Sequence, residues 1–213
     1  MASAEQKVAR ALLAIGAVGV AKEEPIQFKS GILSPVYMDN RKLISHPKEW
    51  GIVITAFADL IKKRRLALDI IAGIESAGIP HSSALAFMLK KPSVFVRKEV
   101  KGHGLKKRVE GGEVKGKRVL LIEDLVTTGG SSLSGVSALR DESAKVSDCL
   151  VIIEYGFADA AQAFRDAKVK LHRLTTFATV LNEGVTAGSM SKEAGKTVKE
   201  WLSDPWAWTK QHS

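Results

Sequence analysis

Residues 118–132 read Arg-Val-Leu-Leu-Ile-Glu-Asp-Leu-Val-Thr-Thr-Gly-Gly-Ser-Ser, an aliphatic run followed by two acids and a turn of threonine, glycine and serine. The aliphatic run is typical of a strand buried on both faces of a parallel sheet, and a helical pattern begins at Ser131. Ligands of open α/β sheets bind beyond the carboxyl ends of the strands, where a helix N-terminus offers unpaired N–H groups to an anion. The segment therefore predicts that the turn from Thr127 to Ser131 binds a phosphate group.

The two acids that precede this turn, Glu123 and Asp124, call for a second ligand group. Adjacent carboxylates repel a phosphate unless they accept hydrogen bonds from neighbouring sugar hydroxyls or assist a metal ion. A phosphorylated ribose satisfies both demands. The alternative is that Asp124 only caps the following helix beside a chance neighbour. The segment contains neither a Gly-Lys-Ser/Thr triplet nor a G-x-G-x-x-G pattern, so it is neither a Walker A loop nor a Rossmann fingerprint.

Further short apolar runs predict strands, and helical patterns alternate with them. The predicted strands are residues 68–72, 93–97, 118–122, 149–153 and 170–174, and the predicted helices are residues 49–64, 81–90, 131–142, 159–167 and 191–202. This alternation is typical of an α/β fold with right-handed crossovers.

Two segments do not follow the alternation. Residues 22–44 hold glycine and two prolines among alternating residues, which predicts short hairpin strands outside the main sheet. Residues 100–117 hold five glycines and join two predicted strands without helical periodicity. A connection of this length within one domain is usually a functional loop. At the N-terminus, Glu5 and Gly16 favour an amphipathic helix that ends near Gly16 over a signal peptide.

Positive charge is concentrated in one part of the chain. The 213 residues carry a net charge of +9, and residues 97–118 hold nine Lys or Arg against three Glu. A polyanionic small substrate or a nucleic acid would both suit this charge, although ordinary solvated lysines explain any single position. No helix-turn-helix pattern lies ahead of residue 22, and the charge follows one loop. We therefore expect a small substrate and no nucleic-acid partner.

Cysteine, histidine and tryptophan positions indicate structural roles. The single cysteine, Cys149, excludes an internal disulfide, suits a reducing cytoplasm and lies in a predicted buried strand. No stretch is long and apolar enough to cross a bilayer, so no membrane partner is expected. His46, His81 and His172 lack partners at metal-ligand spacing and are interpreted as structural. The aromatic C-terminal segment, residues 204–208, is expected to pack against the body or a partner subunit.

Four segments together resemble known proteins. Residues 118–131 resemble the phosphoribosyl pyrophosphate (PRPP) motif of type I phosphoribosyltransferases: an aliphatic strand, two acids and a Thr/Gly loop. Three others resemble the orotate phosphoribosyltransferase family in particular, in the family's order and approximate spacing. These are FKSGILSPVYMDNR at 28–41, GIESAGIP at 73–80, similar to a pyrophosphate loop, and VRKEVKGHG at 96–104, similar to a mobile catalytic loop.

The resemblance implies a fold and a reaction. The fold is α/β, with a mainly parallel five-stranded sheet flanked by helices and a small N-terminal hood. The chain would form a single phosphoribosyltransferase domain, residues 1–213, with the hood at about 1–45, the core at about 46–180 and a helical tail at 181–213. The enzyme, a pentosyltransferase, would convert orotate and PRPP into orotidine 5′-monophosphate and pyrophosphate in pyrimidine (UMP) biosynthesis. It would be a cytoplasmic homodimer with shared active sites.

The resemblance also implies roles for individual residues. Lys101, His103 and Asp124 would be catalytic, and Lys29, Tyr37 and Thr127 would bind orotate. Mg²⁺ would be carried by the pyrophosphate of PRPP, without a direct protein ligand. The residues expected to bind PRPP are Arg97, Lys98, Lys101, His103, Glu123, Asp124, Leu125, Val126, Thr127, Thr128, Gly129, Gly130 and Ser131.

The chain departs from the family pattern at two places. Some members carry a lysine in the pyrophosphate loop, where this chain has Ala77, and some carry an orotate-binding arginine after the fourth core strand, where residues 154–157 read Glu-Tyr-Gly-Phe. Arg41 is a further candidate for contact with the base, although a structural salt bridge explains it equally well. The alternatives are a phosphoribosyltransferase for another nucleobase and a PRPP-sensing regulator that binds nucleic acid.

Overall fold

The chain folds around a central sheet that is flanked by helices. A computed structural model describes residues 2–21, 24–99 and 107–213. The strands are β1 Val18–Val20, β2 Ile26–Gln27, β3 Leu33–Ser34, β4 Val36–Met38, β5 Ile70–Ile74, β6 Ser93–Val96, β7 Val109–Glu110, β8 Val119–Val126, β9 Asp148–Glu154 and β10 Lys170–Thr176. The helices are α1 Ala4–Ala14, α2 Pro47–Arg64, α3 Gly78–Leu89, α4 Gly130–Asp141, α5 Ala158–Asp166, α6 Phe177–Thr186, α7 Lys192–Ser203 and α8 Pro205–Gln211, with a 3₁₀ helix at Asn40–Ser45.

The sheet has the strand order β10-β9-β8-β5-β6-β7, and its first five strands are parallel. These five are the strands predicted from the apolar runs. All five residues of β5 are buried, as are the first five of β8, because helices cover both faces of the sheet. The predicted α/β class and parallel sheet are confirmed, and they place the ends of β5, β6 and β8 side by side.

One part of the sheet was predicted wrongly. Residues 100–117 were expected to lack regular structure, yet β7 lies within them and pairs antiparallel with β6 through Val96 and Val109. Two residues are too few for an alternating pattern to show in the sequence. The central sheet therefore has six strands among the described residues instead of the expected five.

The helices agree with the predictions where the apolar period is strong. The bounds of α2, α3, α4, α5 and α7 lie within three residues of those predicted, and α1 ends at Ala14, close to the expected Gly16. Helical periodicity predicted neither α6, nor α8, nor the 3₁₀ helix, although α8 lies within the helical tail at 181–213 that the resemblance implied. In α6, the residues Phe177, Val180, Leu181 and Gly184 are buried, although several of its residues are poor helix formers.

The N-terminal hood forms as expected from two small antiparallel pairs outside the main sheet, β1 with β4 and β2 with β3. The strand β1 begins at Val18, ahead of the predicted segment. Gly19 lies under the ring of Tyr37, and a Cβ atom at this position would overlap that ring. The hood thus holds Tyr37 against its own first strand.

The C-terminal helices pack against the hood and the core, as expected for an aromatic tail. Trp201 is fully buried and donates a hydrogen bond from Nε1 to the carbonyl of Leu33 at 2.8 Å. Trp208 is buried and stacks on His212 with ring centroids 3.7 Å apart. The division into hood, core and tail within a single domain stays a prediction.

The three histidines and the cysteine that were interpreted as structural are paired with neighbouring protein groups or buried. His81 is fully buried and accepts a hydrogen bond from Trp50 Nε1 at 3.0 Å; burial lowers its pKa to about 4. His172 lies 2.7 Å from Asp148, His46 contacts the carbonyl of Lys42 at 2.8 Å, and Cys149 is a buried free thiol. None of the helices in the described part of the chain has the length and apolar character needed to span a membrane.

Candidate active site

A cavity of about 600 Å³ lies beyond the carboxyl ends of β5, β6 and β8, where ligands of parallel α/β sheets bind. The hood closes one side of it and the start of α4 closes another. Its walls contain acids, cations and hydroxyls in close proximity. The lining residues are Lys29, Met38, Asp39, Arg41, Ile74, Glu75, Ser76, Ala77, Lys98, Glu99, Arg108, Glu123, Asp124, Leu125, Thr127, Ser131 and Ser134.

A second cavity of about 440 Å³ is formed by the predicted phosphate turn and one segment of the hood, residues 28–30. All residues from Leu125 to Ser132 line it. Lys29, Leu125, Thr127 and Ser131 line both cavities. The two cavities therefore adjoin along the turn, so that one extended ligand can occupy both.

The backbone of the phosphate turn has the conformation that an anion site needs. Gly129 precedes α4 and has φ of +86°, a region that L side chains rarely adopt. Among the residues that the structure describes, no side chain caps the N-terminus of α4, and the first residues of this helix, Gly130 and Ser131, line the second cavity. Because the helix dipole adds positive potential there, the turn can bind a phosphate group.

Glu123 and Asp124 form a pair of acids that lines the large cavity directly before the phosphate turn. Glu123 is only 5% exposed, and its pKa is raised well above its ordinary value by burial, by the charge of Asp124 and by their mutual hydrogen bond. Burial also raises the pKa of Asp124, but hydrogen bonds from Glu123 and Asn40 oppose this rise. Two adjacent buried carboxyls of this kind resist double ionisation, and because burial raises the pKa of Glu123 most strongly, the single negative charge of the pair is favoured on Asp124. Asp124 then carries the negative charge toward the ligand.

Further contacts connect the acid pair to the phosphate turn and the hood. The hydroxyl of Ser131 donates to Glu123 Oε2 at 3.3 Å, and the amide of Asn40 donates to the main-chain carbonyl of Asp124 at 3.0 Å. Asn40 was not identified from the sequence. An asparagine between Asp39 and Arg41 has no local pattern that reveals a contact with a residue more than eighty positions later.

The pyrophosphate-loop segment and the end of β6 form the opposite wall. Glu75, Ser76 and Ala77 line the large cavity, as the resemblance implied for residues 73–78, and the peptide bond between Glu75 and Ser76 is cis. The main-chain N–H of Lys98 donates to Glu75 Oε2 at 3.0 Å. This bond ties the two wall segments together and leaves the Lys98 side chain at the cavity.

Two arginines of this wall differ from expectation. Arg97 does not line either cavity; its guanidinium lies 3.7 Å from the carboxylate of Glu110. Arg108, one of the nine Lys and Arg residues in 97–118, lines the large cavity and donates to the carbonyl of Arg97 at 2.8 Å and to Ser134 Oγ at 3.0 Å. This contact depends on the pairing of β7 with β6, which brings Arg108 next to α4, so no local pattern could predict it.

On the hood side, Lys29 lines both cavities, as expected, but Tyr37 lines neither. Successive side chains of a strand point to opposite faces, so in β4 Met38 faces the cavity while Tyr37 covers Gly19. Arg41 also lines the large cavity, and its Nε donates to Asp39 at 2.6 Å. The base-binding role assigned to Tyr37 remains a prediction that this geometry does not favour.

Two predicted catalytic residues, Lys101 and His103, lie outside the described residues. Of the described residues, no three His, Cys, Asp or Glu side chains group together as metal ligands. The acid pair and the phosphate turn nevertheless suit a metal ion that arrives bound to a phosphorylated ligand, because the ligand's oxygens then supply most of the coordination.

Comparison with known proteins gives a consistent result. A phosphoribosyl transferase domain model matches residues 42–182. The orotate phosphoribosyltransferase of Coxiella burnetii is 40% identical over 95% of this chain and 97% of its own length. Among solved structures, orotate phosphoribosyltransferase from Aeropyrum pernix has a TM-score of 0.75 at 29% identity, covering 86% of this chain and 99% of that one. Leishmania donovani UMP synthase has a TM-score of 0.82 at 26% identity, covering 94% of this chain and 42% of that longer one.

These likenesses cover most of the chain, and the family model alone spans residues 42–182. A relative of this identity over nearly the whole chain has the same fold. The chain belongs to the orotate phosphoribosyltransferases and has the type I phosphoribosyltransferase fold.

Proposed function

We propose that the chain transfers the phosphoribosyl group of PRPP to orotate within the two adjoining cavities, giving orotidine 5′-monophosphate and pyrophosphate for pyrimidine nucleotide synthesis. The observation that carries this proposal is the position of the acid pair Glu123 and Asp124 between a phosphate turn and a cation-lined cavity. PRPP has a phosphate at one end of its ribose and a pyrophosphate at the other. Its ribose therefore fits between the cavities, beside the two acids.

The phosphate turn holds the 5′-phosphate of PRPP. Residues from Thr127 to Ser131 offer hydroxyl donors and the N–H groups at the start of α4. With the phosphate fixed there, the ribose hydroxyls lie at Asp124 and Glu123. Binding both ends of the sugar orients C1 toward the large cavity and removes much of the entropic cost of the reaction.

Bond cleavage at C1 creates charges that the site must stabilise. The bond from C1 to the pyrophosphate oxygen breaks, a bond from C1 to N1 of orotate forms, and the N1 proton is released. Positive charge develops on the ribose and negative charge on the leaving group. The carboxylate of Asp124 lies beside the ribose, where its charge stabilises the developing cation.

The leaving pyrophosphate is assigned to the wall formed by residues 75–77, Lys98 and Arg108. Mg²⁺ bound to the pyrophosphate would neutralise part of its charge. The resemblance adds Lys101 and His103 as cations that act on the same group. Arg97 lies further away than the resemblance implied, so we expect it to support Arg108 through its carbonyl.

For orotate we assign Lys29 and Thr127, which line the boundary of the two cavities, and Arg41 beside them. Orotate is an anion at neutral pH, and a carboxylate is bound best by charged donors. Residues 154–157 line no part of the large cavity, so the cations of the hood are the nearest substitutes for an arginine after β9.

A Lys29→Ala variant tests the substrate and its binding site. We expect the wild type to consume orotate with PRPP and Mg²⁺, and the variant to raise KM for orotate about 20-fold, since one charge-assisted contact is lost. KM for PRPP should change much less. Initial rates from the loss of orotate absorbance give both constants, and Lys48→Ala, an exposed lysine on α2, is the matched control. Turnover of another nucleobase without turnover of orotate would contradict the substrate assignment.

We also propose a homodimer that buries the end of α3. Phe87 is 89% exposed and Met88 is 47% exposed on this helix, which begins directly after the pyrophosphate wall. Exposed adjacent apolar side chains mark interfaces. Wild type should have twice the 23.0 kDa mass of the chain in light scattering, and Phe87→Glu should be monomeric and at least about tenfold less active because the sites are shared. Ile44→Glu is the control; a monomeric wild type contradicts the proposal.

A further inference from the structure

Asn40 connects the hood to the acid pair. It begins the 3₁₀ helix of the hood and is only 1% exposed. Its Nδ2 lies 3.0 Å from the main-chain carbonyl oxygen of Asp124 and 3.5 Å from the carboxylate oxygen Oδ2. A single amide group therefore contacts both the backbone and the side chain of the residue that carries the charge of the pair.

We propose that Asn40 is a positioning residue for phosphoribosyl transfer, which holds the Asp124 carboxyl group in the orientation that faces the ribose. This inference rests on the role proposed for Asp124. Asn40 lines neither cavity and does not itself touch the substrates. It acts through Asp124, because its Nδ2 donates to the main-chain carbonyl oxygen and to Oδ2 of that residue.

The surroundings of Asn40 indicate that its amide serves the site more than the stability of the fold. Both acceptors lie on the Nδ2 side, which fixes the orientation of the amide. The other end, Oδ1, is buried and has no hydrogen-bond partner in the described part of the chain. An unpaired buried acceptor costs free energy, and an apolar side chain at this position removes that cost, while it also leaves the two Asp124 acceptors without this donor.

The charged and titratable groups around Asp124 favour the same role. Glu123 precedes it on β8, Arg41 approaches from the 3₁₀ helix, and Tyr155 lies behind it after β9. Burial raises the pKa of Asp124, while the bonds from Glu123 and Asn40 and the charge of Arg41 lower it. Asn40 is a neutral member of this set, so its replacement by an apolar residue removes a hydrogen-bond donor to Asp124 and no charged side chain.

An Asn40→Leu variant tests the proposal. We expect kcat to fall about 30-fold, because a carboxylate that is no longer held in one orientation stabilises the positive charge of the transition state less well. KM for PRPP should stay within threefold of wild type, and the unfolding temperature should change little, because the removal of the unpaired Oδ1 and the loss of the bonds to Asp124 have opposite effects on folding. Since the lost bond lowers the pKa of Asp124, the acid limb of the kcat–pH profile should move to higher pH. Asn182→Leu, an exposed position on α6, is the control.

The readouts separate this inference from the function it rests on. Wild type is assayed first with orotate and then with other nucleobases, and the variants are compared on whichever base turns over. If Asn40→Leu does not fold, Asn40→Ala is measured in the same way. An acid limb that does not move, or a kcat within twofold of wild type, overturns the role of Asn40. Lack of wild-type turnover with any base overturns the proposed function instead.

Discussion

An Asp124→Asn variant is expected to lose about 1,000-fold in kcat and to gain stability at neutral pH. The amide has nearly the same shape, so its oxygen still accepts hydrogen bonds around the ribose. It has no negative charge to stabilise the cation that develops at C1, and losses of this size follow from removal of one preorganised electrostatic contact. KM for PRPP should change far less than kcat.

The gain in stability has the opposite physical cause. Burial raises the pKa of Asp124 in the folded chain, so ionisation opposes folding above the pKa of the unfolded state. A neutral amide avoids this cost, and we expect about 1 kcal/mol of stabilisation at pH 7. The advantage should disappear as the pH falls toward the ordinary pKa of an aspartate, because Asp124 is then protonated in both states.

Asp69→Asn is the control for both effects. Asp69 lies at the amino end of the sheet, and its pKa is lowered by hydrogen bonds from Arg118. We expect this variant to keep the wild-type kcat and to lose stability at pH 7, since its ionised form favours folding. Initial rates and thermal unfolding at two pH values measure all of these quantities. A kcat for Asp124→Asn within tenfold of wild type would exclude Asp124 as the charge that stabilises the transition state.

The parts of the fold that the sequence predicts are those whose signal is local and repeated. The aliphatic run before Glu123 and the small polar residues after it correspond to β8, the phosphate turn and the start of α4. In this segment the apolar run, the position of the two acids and the residue types of the turn all predict a strand, a turn and a helix in that order. The five parallel strands are found for the same reason, because each is an uninterrupted apolar run covered on both faces.

The parts that were missed depend on contacts between distant residues. Helix α6 contains valines, threonines and a glycine, and it is stabilised by packing against α1 and β10, not by propensity. Arg108 reaches the cavity only because β7 pairs with β6. Tyr37 was selected as an aromatic residue in a motif, but the alternation of β4 turns Met38 to the cavity instead. Asn40 depends on the docking of the hood against β8.

A Gly73→Ala variant is expected to lose about 4 kcal/mol of unfolding free energy, because β5 and α3 approach too closely at this position for a side chain. A Cβ atom there would overlap the hydroxyl of Ser82 and would lie 2.8 Å from the carbonyl oxygen of Gly78 and 2.9 Å from Cα of Ile79. The hydroxyl can rotate away, but the two backbone atoms belong to the first turn of α3. The helix must therefore retreat from the sheet, and the pyrophosphate wall at residues 75–77 must move with it.

Gly51→Ala is the matched control, and we expect it to raise the unfolding free energy instead of lowering it. Gly51 lies on the exposed side of α2, and a Cβ atom there has no neighbour within 4 Å. Alanine should stabilise this helix by about 0.5–1 kcal/mol, since it loses less conformational entropy on folding than glycine. Urea unfolding measures the change in unfolding free energy of both variants, and titration with PRPP measures the dissociation constant of each. Gly73→Ala should bind PRPP at least about tenfold more weakly than wild type, because the pyrophosphate wall has moved, and Gly51→Ala should bind PRPP like wild type. If Gly73→Ala unfolds within 1 kcal/mol of wild type, α3 does not lie against β5 at the observed distance, and the wall is not held in place by that packing.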